Sequence, residues 1–442
     1  MPPMTLTPTQ ARRLGADAFA YGFPLLLMTA TMRRATAPAE GSATGIGSNH
    51  IGHLRRFPDP AFKAIVAPNA NTLYSLAWLD LSVEPLRLEL PNAGGRSYLM
   101  SLTDAWTNVF ASLASHTVGD DGGTFAIVGP GWSGSLPARA RRIDAPTSNV
   151  WAIYHLHAEG IADLDASSAI QQHLTLAPLR TNGAGDGSPR WTEVSALNSL
   201  PAAHRQVMEM DAQQFLSELI TQMITNPPAP DDAPLLERLS AVRLYPRERF
   251  DWSGLSDATR EGLTAGVEDG KAAITAEGAT LGAENGWHLA PAGAGSPAVD
   301  YLQRARAANF ALGISSPRDA IFPLSTTDSE NRPLNGAHRY TLSFKAGALP
   351  PVGAHWSLCL YDMDQLFTPN EIDRYALGDR DELELGSDGT LQIVIQHDPP
   401  DGSTANWLPA PEGDFNLMLH MYWPSQQALD GDWAIPPVRR VD

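Results

Sequence analysis

The stretch Val150–Gly160, V-W-A-I-Y-H-L-H-A-E-G, constrains the fold more than any other. β-Branched and aromatic residues fill it, and Pro146 and Gly160 punctuate its two ends, the pattern of a strand. Side chains alternate across a strand, so Trp151, Ile153, His155 and His157 are expected on one face. Imidazoles at i and i+2 have Cα atoms roughly 6.5–7 Å apart, close enough for both rings to reach one ion. Such a strand needs a sheet around it, and such a pair of rings needs further ligands from elsewhere in the chain.

The segments around it follow the same alternation. Ala67–Leu81 and Phe125–Gly131 read as strand and turn, and so do Arg339–Phe344, His355–Tyr361, Leu391–Gln396 and Phe415–Trp423 in the last quarter. Between these regions the period becomes helical. Asp211–Ile224 carries Phe215, Leu216, Leu219, Ile220, Met223 and Ile224 at helical spacing, and Leu235–Leu244, Ser256–Ala276 and Val299–Gly313 read as further helices. Thr7-Pro8 starts a helix through Gln10–Tyr21, which Pro24 is expected to interrupt. Asp163–Leu176 reads as a helix, and Arg33–Gly52 and Gly278–Gly295 as loops. The expected fold is mainly β with α insertions: two β-sandwich or jelly-roll-like domains joined by a helical segment. The boundaries drawn are an N-terminal helix plus β domain over 1–185, a helical connecting segment over 186–335 and a C-terminal β-sandwich over 336–442.

Charge and cysteine content remove several function classes. A net charge of −18 offers no basic stripe, so nucleic acid and anionic membrane are not expected partners. A single cysteine, Cys359, rules out an internal disulfide and a cysteine-rich zinc site. The N-terminus shows no secretory pattern and no apolar run reaches about 18 residues, so a soluble, cytoplasmic protein is expected. The expected partner is a small-molecule substrate.

Five motifs carry a family resemblance: P-N-A-N-T-L-Y-S-L-A-W-L-D ending at Asp80, Asp104–Ser112 (D-A-W-T-N-V-F-A-S), Val128–Trp132 (V-G-P-G-W), Asn406–Pro411 (N-W-L-P-A-P) and Tyr422–Pro424 (Y-W-P). In order and over nearly the whole chain, they resemble a two-domain bacterial family whose halves are domains of unknown function 1254 and 1214. The resemblance implies a β-rich two-domain fold with inserted helices. It leaves a homo-oligomer open and supplies no agreed activity. Against the family pattern, His116, His155 and His420 stand where arginine is typical, His157 where a polar residue is, and His355 where phenylalanine is. His53 and His397 stand where the family often has histidine.

Arginines at 116, 155 and 420 would have little reason to be replaced together unless they share a place, so a common pocket is inferred. A divalent metal held by neutral imidazoles would restore the lost positive charge. The expected metal ligands are His116, His155, His355 and His420, with His157 as a fifth ligand or a rim residue. Asp104, Tyr361 and Tyr422 are candidates for catalytic roles, Asp104 also as a partner that orients a histidine or as a turn residue. Strand parity puts His355, Ser357, Cys359 and Tyr361 on one face, and Asn416, Met418, His420 and Tyr422 on another. The activity expected is a metal-dependent reaction on a small organic molecule, with oxidoreduction favoured and Fe, Cu and Zn all open. A metal-dependent lyase or hydrolase, a metal-free acid–base pocket and a non-catalytic binding protein are the alternatives.

Overall fold

Thr7 and Gln10 form a capping box: the Thr7 hydroxyl accepts from the Gln10 amide at 3.3 Å, and the Gln10 side chain accepts from the Thr7 amide at 3.0 Å. In the computed structural model, which describes residues 6–37, 46–62, 66–179, 191–193, 200–247, 249–276, 283–289 and 300–442, this box opens helix α1 (Pro8–Thr36). The helix runs straight through Pro24, against expectation. Every residue from Ala18 to Met32 is buried, and that packing outweighs the roughly 3 kcal/mol a mid-helix proline costs.

The N-terminal sandwich is built from β1 (Ile51–His53), β2 (Thr72–Asp80), β3 (Leu86–Leu90), β4 (Tyr98–Asp104), β5 (Val109–Ala114), the single turn α2 (Ser115–Val118), β6 (Gly123–Val128), β7 (Arg141–Asp144), β8 (Asn149–His157), α3 (Leu164–Gln171), β9 (Thr175–Pro178) and β10 (Trp191–Glu193). One sheet runs β10-β1-β2-β8-β4-β5 and the other β7-β6-β3-β9. They close over Leu73, Leu79, Met100 and Leu102 from the first and Leu88, Phe125 and Ile127 from the second. The helix expected over Asp163–Leu176 is shorter. It ends at Gln171, because Leu176 is buried in this core and pairs with Leu88.

The middle of the chain supplies α4 (Leu200–Met208), α5 (Ala212–Thr225), α6 (Ala233–Ser240), α7 (Asp257–Thr275), two short strands β11 (Ala283–Glu284) and β12 (Trp287–His288), and α8 (Tyr301–Ala311). These helices form a layer with α1 over the outer face of the six-stranded sheet. Phe19, Leu26, Phe215 and Leu219 share one core with Leu76, Trp78, Trp151 and Ile153. The closest packing is α1 on α7, where a Cβ on Gly266 would lie 1.9 Å from the carbonyl oxygen of Arg12.

The C-terminal sandwich contains β13 (Ala320–Ile321), β14 (Leu324–Ser325), β15 (Tyr340–Phe344), β16 (Trp356–Tyr361), β17 (Ala376–Gly378), β18 (Leu391–Gln396), β19 (Trp407–Pro409), β20 (Asn416–Tyr422), the turn α9 (Gln426–Leu429) and β21 (Arg439–Arg440). One sheet runs β11-β12-β14-β20-β16-β17, with β13 also on β20, and the other β19-β18-β15-β21. Leu342, Ile393 and Ile395 meet Leu358, Leu360, Leu417 and Leu419 between them. The molecule is mainly β with α insertions. Among the described residues, no helix is long and apolar enough to cross a membrane.

Candidate functional site

The face of β8 that bears Trp151, Ile153, His155 and His157 is divided between two neighbours. Trp151 and Ile153 pack under the helices. His155 and His157 lie under the larger C-terminal sheet, because β16 and β20 turn Leu358, Leu360, Leu417 and Leu419 into their own core and leave the alternate residues facing the N-terminal domain. The register Ser357↔His420 and Cys359↔Met418 sets those residues side by side, and the Tyr422 amide donates to the His355 carbonyl at 2.9 Å. The three parities read from the sequence hold.

A cavity of about 20 Å³ sits at this seam, lined by His116, His155, His157, His355, Tyr422 and Ser97 among others. That is room for one water or one ion. The His157 and His355 rings approach to 4.1 Å between centroids, and His355 stacks on Tyr422 at 4.4 Å. His420 lies behind Tyr422, its ring stacked 6.4 Å away. His116, on α2, forms part of the mouth. Its Nε2 lies 3.1 Å from Oδ1 of Asp319, and its ring stacks on Trp423 at 4.8 Å. His53 and His397 are elsewhere, bonded to Ser75 at 2.9 Å and to the Ala410 carbonyl at 2.9 Å.

Burial decides the charge of these rings. Desolvation lowers His155 and His157 to about 4 and His420 to about 3. His355 is driven well below the ordinary imidazole range, first by burial and then by His157 and Arg380. All four are neutral at pH 7, and each keeps one buried ring nitrogen without a hydrogen-bond partner: Nδ1 of His155 and His420, Nε2 of His157 and His355. Each such atom costs about 1–3 kcal/mol unless something fills the gap.

The tyrosines complete the polar wall. Tyr361 donates to the Pro68 carbonyl at 2.7 Å and lies 2.8 Å from His420 Nε2. Tyr74 bonds the Asn69 amide at 2.9 Å, with its ring 4.8 Å from that of His155. Burial raises the pKa of Tyr74, Tyr361 and Tyr422, so their hydroxyls stay protonated, and it pushes the Cys359 thiol up to about 11.

Asp104 is not part of this site. Leu99 on β4 pairs with His155, whereas Asp104 pairs with Val150, five residues along and roughly 16 Å away. Its carboxylate accepts from the Trp106 amide at 2.8 Å and the Asn108 amide at 2.9 Å, so it shapes the turn into β5. Asp362 holds a turn in the same way through the amides of Asp364 and Leu366. Ser97, Asp319 and Trp423 went unread in the sequence. Ser97 Oγ lies 3.2 Å from His355 Nδ1. Trp423 has φ of 57°, a backbone region bulky residues rarely enter, and hydrogen bonds from its amide to Asp319 (2.6 Å) and from Gly353 to its carbonyl (2.7 Å) hold it there. Trp423 stands in the Y-W-P motif, a signal of its place. Nothing in the sequence marks Ser97.

Among the described residues, no group of three or more His, Cys, Asp or Glu side chains is arranged to hold a metal ion. The structure gathers His155, His157, His355 and His420 at one seam without closing them into a coordination shell, and the Nε2 of His116 is taken up by Asp319.

Residues 48–178 match a family model described as a protein of unknown function, DUF1254, and residues 319–426 match a second of the same description, DUF1214. No curated protein matches the chain. Among solved structures, the VPA0106 protein of Vibrio parahaemolyticus is similar over 98% of this chain and 100% of its own, with a TM-score of 0.70 and 19% identity. That likeness shows the fold. An uncharacterized protein from Burkholderia cenocepacia aligns over 98% of this chain and 94% of its own at a TM-score of 0.45 and 11% identity, too distant to carry an argument.

Proposed function

We propose that this chain, which belongs to the two-domain family pairing domains of unknown function 1254 and 1214, is an enzyme that works on a small organic molecule at its interdomain histidine pocket. A divalent transition metal is its resident cofactor and oxidoreduction its favoured chemistry. One observation carries the reading: four buried, neutral imidazoles each leave a ring nitrogen unpartnered at one seam. Neutral imidazole is the form that binds metal, and a histidine shell suits Fe, Cu or Zn. The cavity is ion-sized, so an organic substrate would meet the centre from the mouth formed by His116, Asp319 and Trp423.

Elemental analysis of protein purified without added metal tests this. About one metal per chain is expected in the wild type, with at least a tenfold loss in His155→Ala and His420→Ala at unchanged circular dichroism. Equal metal content in all three sinks the proposal. Dependence of turnover on dioxygen or an electron donor separates oxidoreduction from a zinc lyase or hydrolase.

A metal-free pocket is the second reading, favoured by the lack of a closed group of three ligands among the described residues. Here the imidazoles act as hydrogen-bond acceptors or bases toward the ligand. Activity or binding that survives exhaustive chelation selects it.

A further inference from the structure

The hydrogen bonds around His420 fix which of its nitrogens carries the proton. The Tyr361 hydroxyl has one hydrogen and two close partners, the Pro68 carbonyl at 2.7 Å and His420 Nε2 at 2.8 Å, with the Cys359 thiol also beside it. A carbonyl can only accept, so the tyrosine hydrogen goes to Pro68. Were Tyr361 to donate to the imidazole instead, two oxygen lone pairs would face each other at 2.7 Å in a buried place. His420 must therefore donate from Nε2–H. A neutral imidazole has a single N–H, so Nδ1 is a bare lone pair, and it is the atom left without a partner. His155 also leaves its Nδ1 unpartnered. The two rings are near enough for His155 to disfavour a charge on His420. His355 differs: its Nδ1 meets Ser97, whose hydroxyl can donate or accept, so its tautomer is not fixed.

We infer that Tyr361, anchored by the Pro68 carbonyl, sets His420 to present an Nδ1 lone pair, so that whatever meets that atom is a cation or a hydrogen-bond donor and not an acceptor-only anion. The inference rests on the reading of this pocket as the working site, whereas the tautomer stands without it. Tyr361 is a positioning residue here. It turns the polarity at that atom opposite to what an arginine at the same place would give.

Selective ¹⁵N-histidine labelling of the full chain, purified free of metal, reads the tautomers directly, with His420→Gln and His155→Gln for assignment. Wild type should show the His420 ring protonated on Nε2. Tyr361→Phe should give His420 a mixture of tautomers and leave His155 unchanged, an effect that loss of packing alone would not produce. Two probes follow. Co²⁺ should bind the wild type with visible d–d absorption, and Tyr361→Phe should weaken it by about 10–100-fold. Formate should leave the His420 Nδ1 resonance unmoved. Protonation of His420 on Nδ1 in the wild type, or a formate-induced shift of that resonance, overturns the inference. The stated tautomer without Co²⁺ uptake upholds it and overturns the metal reading instead. If Tyr361→Phe fails to fold, the wild-type spectrum and the formate titration still decide.

Discussion

Burial acts on His155 and on Asp104 with opposite sign. It lowers the imidazole from 6.5 to about 4 and raises the carboxyl from 3.8 to about 6. As pH falls from 6.5 toward 4, the unfolded chain takes up protons at position 155 before the folded one does, so stability is lost. His157 behaves the same way, also at about 4. Asp104 works the other way: between pH 6 and 4 the folded state takes up its proton first, so its contribution grows as pH falls. Each histidine forfeits roughly 2 kcal/mol from pH 6.5 to 5, and more than one histidine opposes a single aspartate. The urea midpoint of metal-free protein should therefore drop between pH 7 and 5. His155→Gln should flatten that drop and Asp104→Asn should steepen it. Asp104→Asn keeps an acceptor for the Trp106 and Asn108 amides, because its amide oxygen can take the place of Oδ1, and loses only the Asn108 side-chain bond to Oδ2, so metal content should stay at the wild-type level. The placing of His155 on a shared strand face could be read from the sequence, since alternation is local. The proton on His420 could not, since Tyr361 takes its anchor from a carbonyl 293 positions away.

At the scale of elements, strands were read more surely than helix ends. β18 (Leu391–Gln396) begins and ends where the sequence placed it. α1 did not stop at Pro24, because local rules see the missing amide and not the helices that bury Phe23 and Leu25. The middle helices were legible as amphipathic stripes, but their docking on the face of β8 is tertiary. So is the fit of α1 against α7, which rests on the lack of a side chain at Gly266. Gly266→Ala should cost about 1–3 kcal/mol or more, since a Cβ there meets backbone that cannot yield as a side chain can. Differential scanning calorimetry should show a lowered Tm, with the Co²⁺ spectrum of the surviving folded protein unchanged, because this contact lies in the helical layer and not at the histidine seam.

For the whole molecule, the two sandwiches could be foreseen from two runs of alternation separated by a helical stretch. That they meet face to face over the histidines could only be inferred from which residues depart from the family's pattern. The seam is fastened by named contacts: Ser97 with His355, Tyr361 with Pro68, His116 with Asp319, and the Ala67 amide with the Gln365 carbonyl at 2.8 Å. Anything bound there stabilises the joined form, by about 2.7 kcal/mol at a hundredfold excess over Kd. A saturating metal should raise Tm in the wild type and leave His155→Ala unmoved.

The cavity has the volume of a single water and is walled from both sides. An occupant of that size would leave through the mouth at His116, Asp319 and Trp423. Its residence time then depends on the side chains of that mouth as well as on the strength of its bonds. Removal of metal by a chelator should accordingly reach a plateau rate that more chelator does not increase. Asp319→Asn, which slackens the mouth at His116, should lift that plateau while leaving the equilibrium affinity nearly where it was.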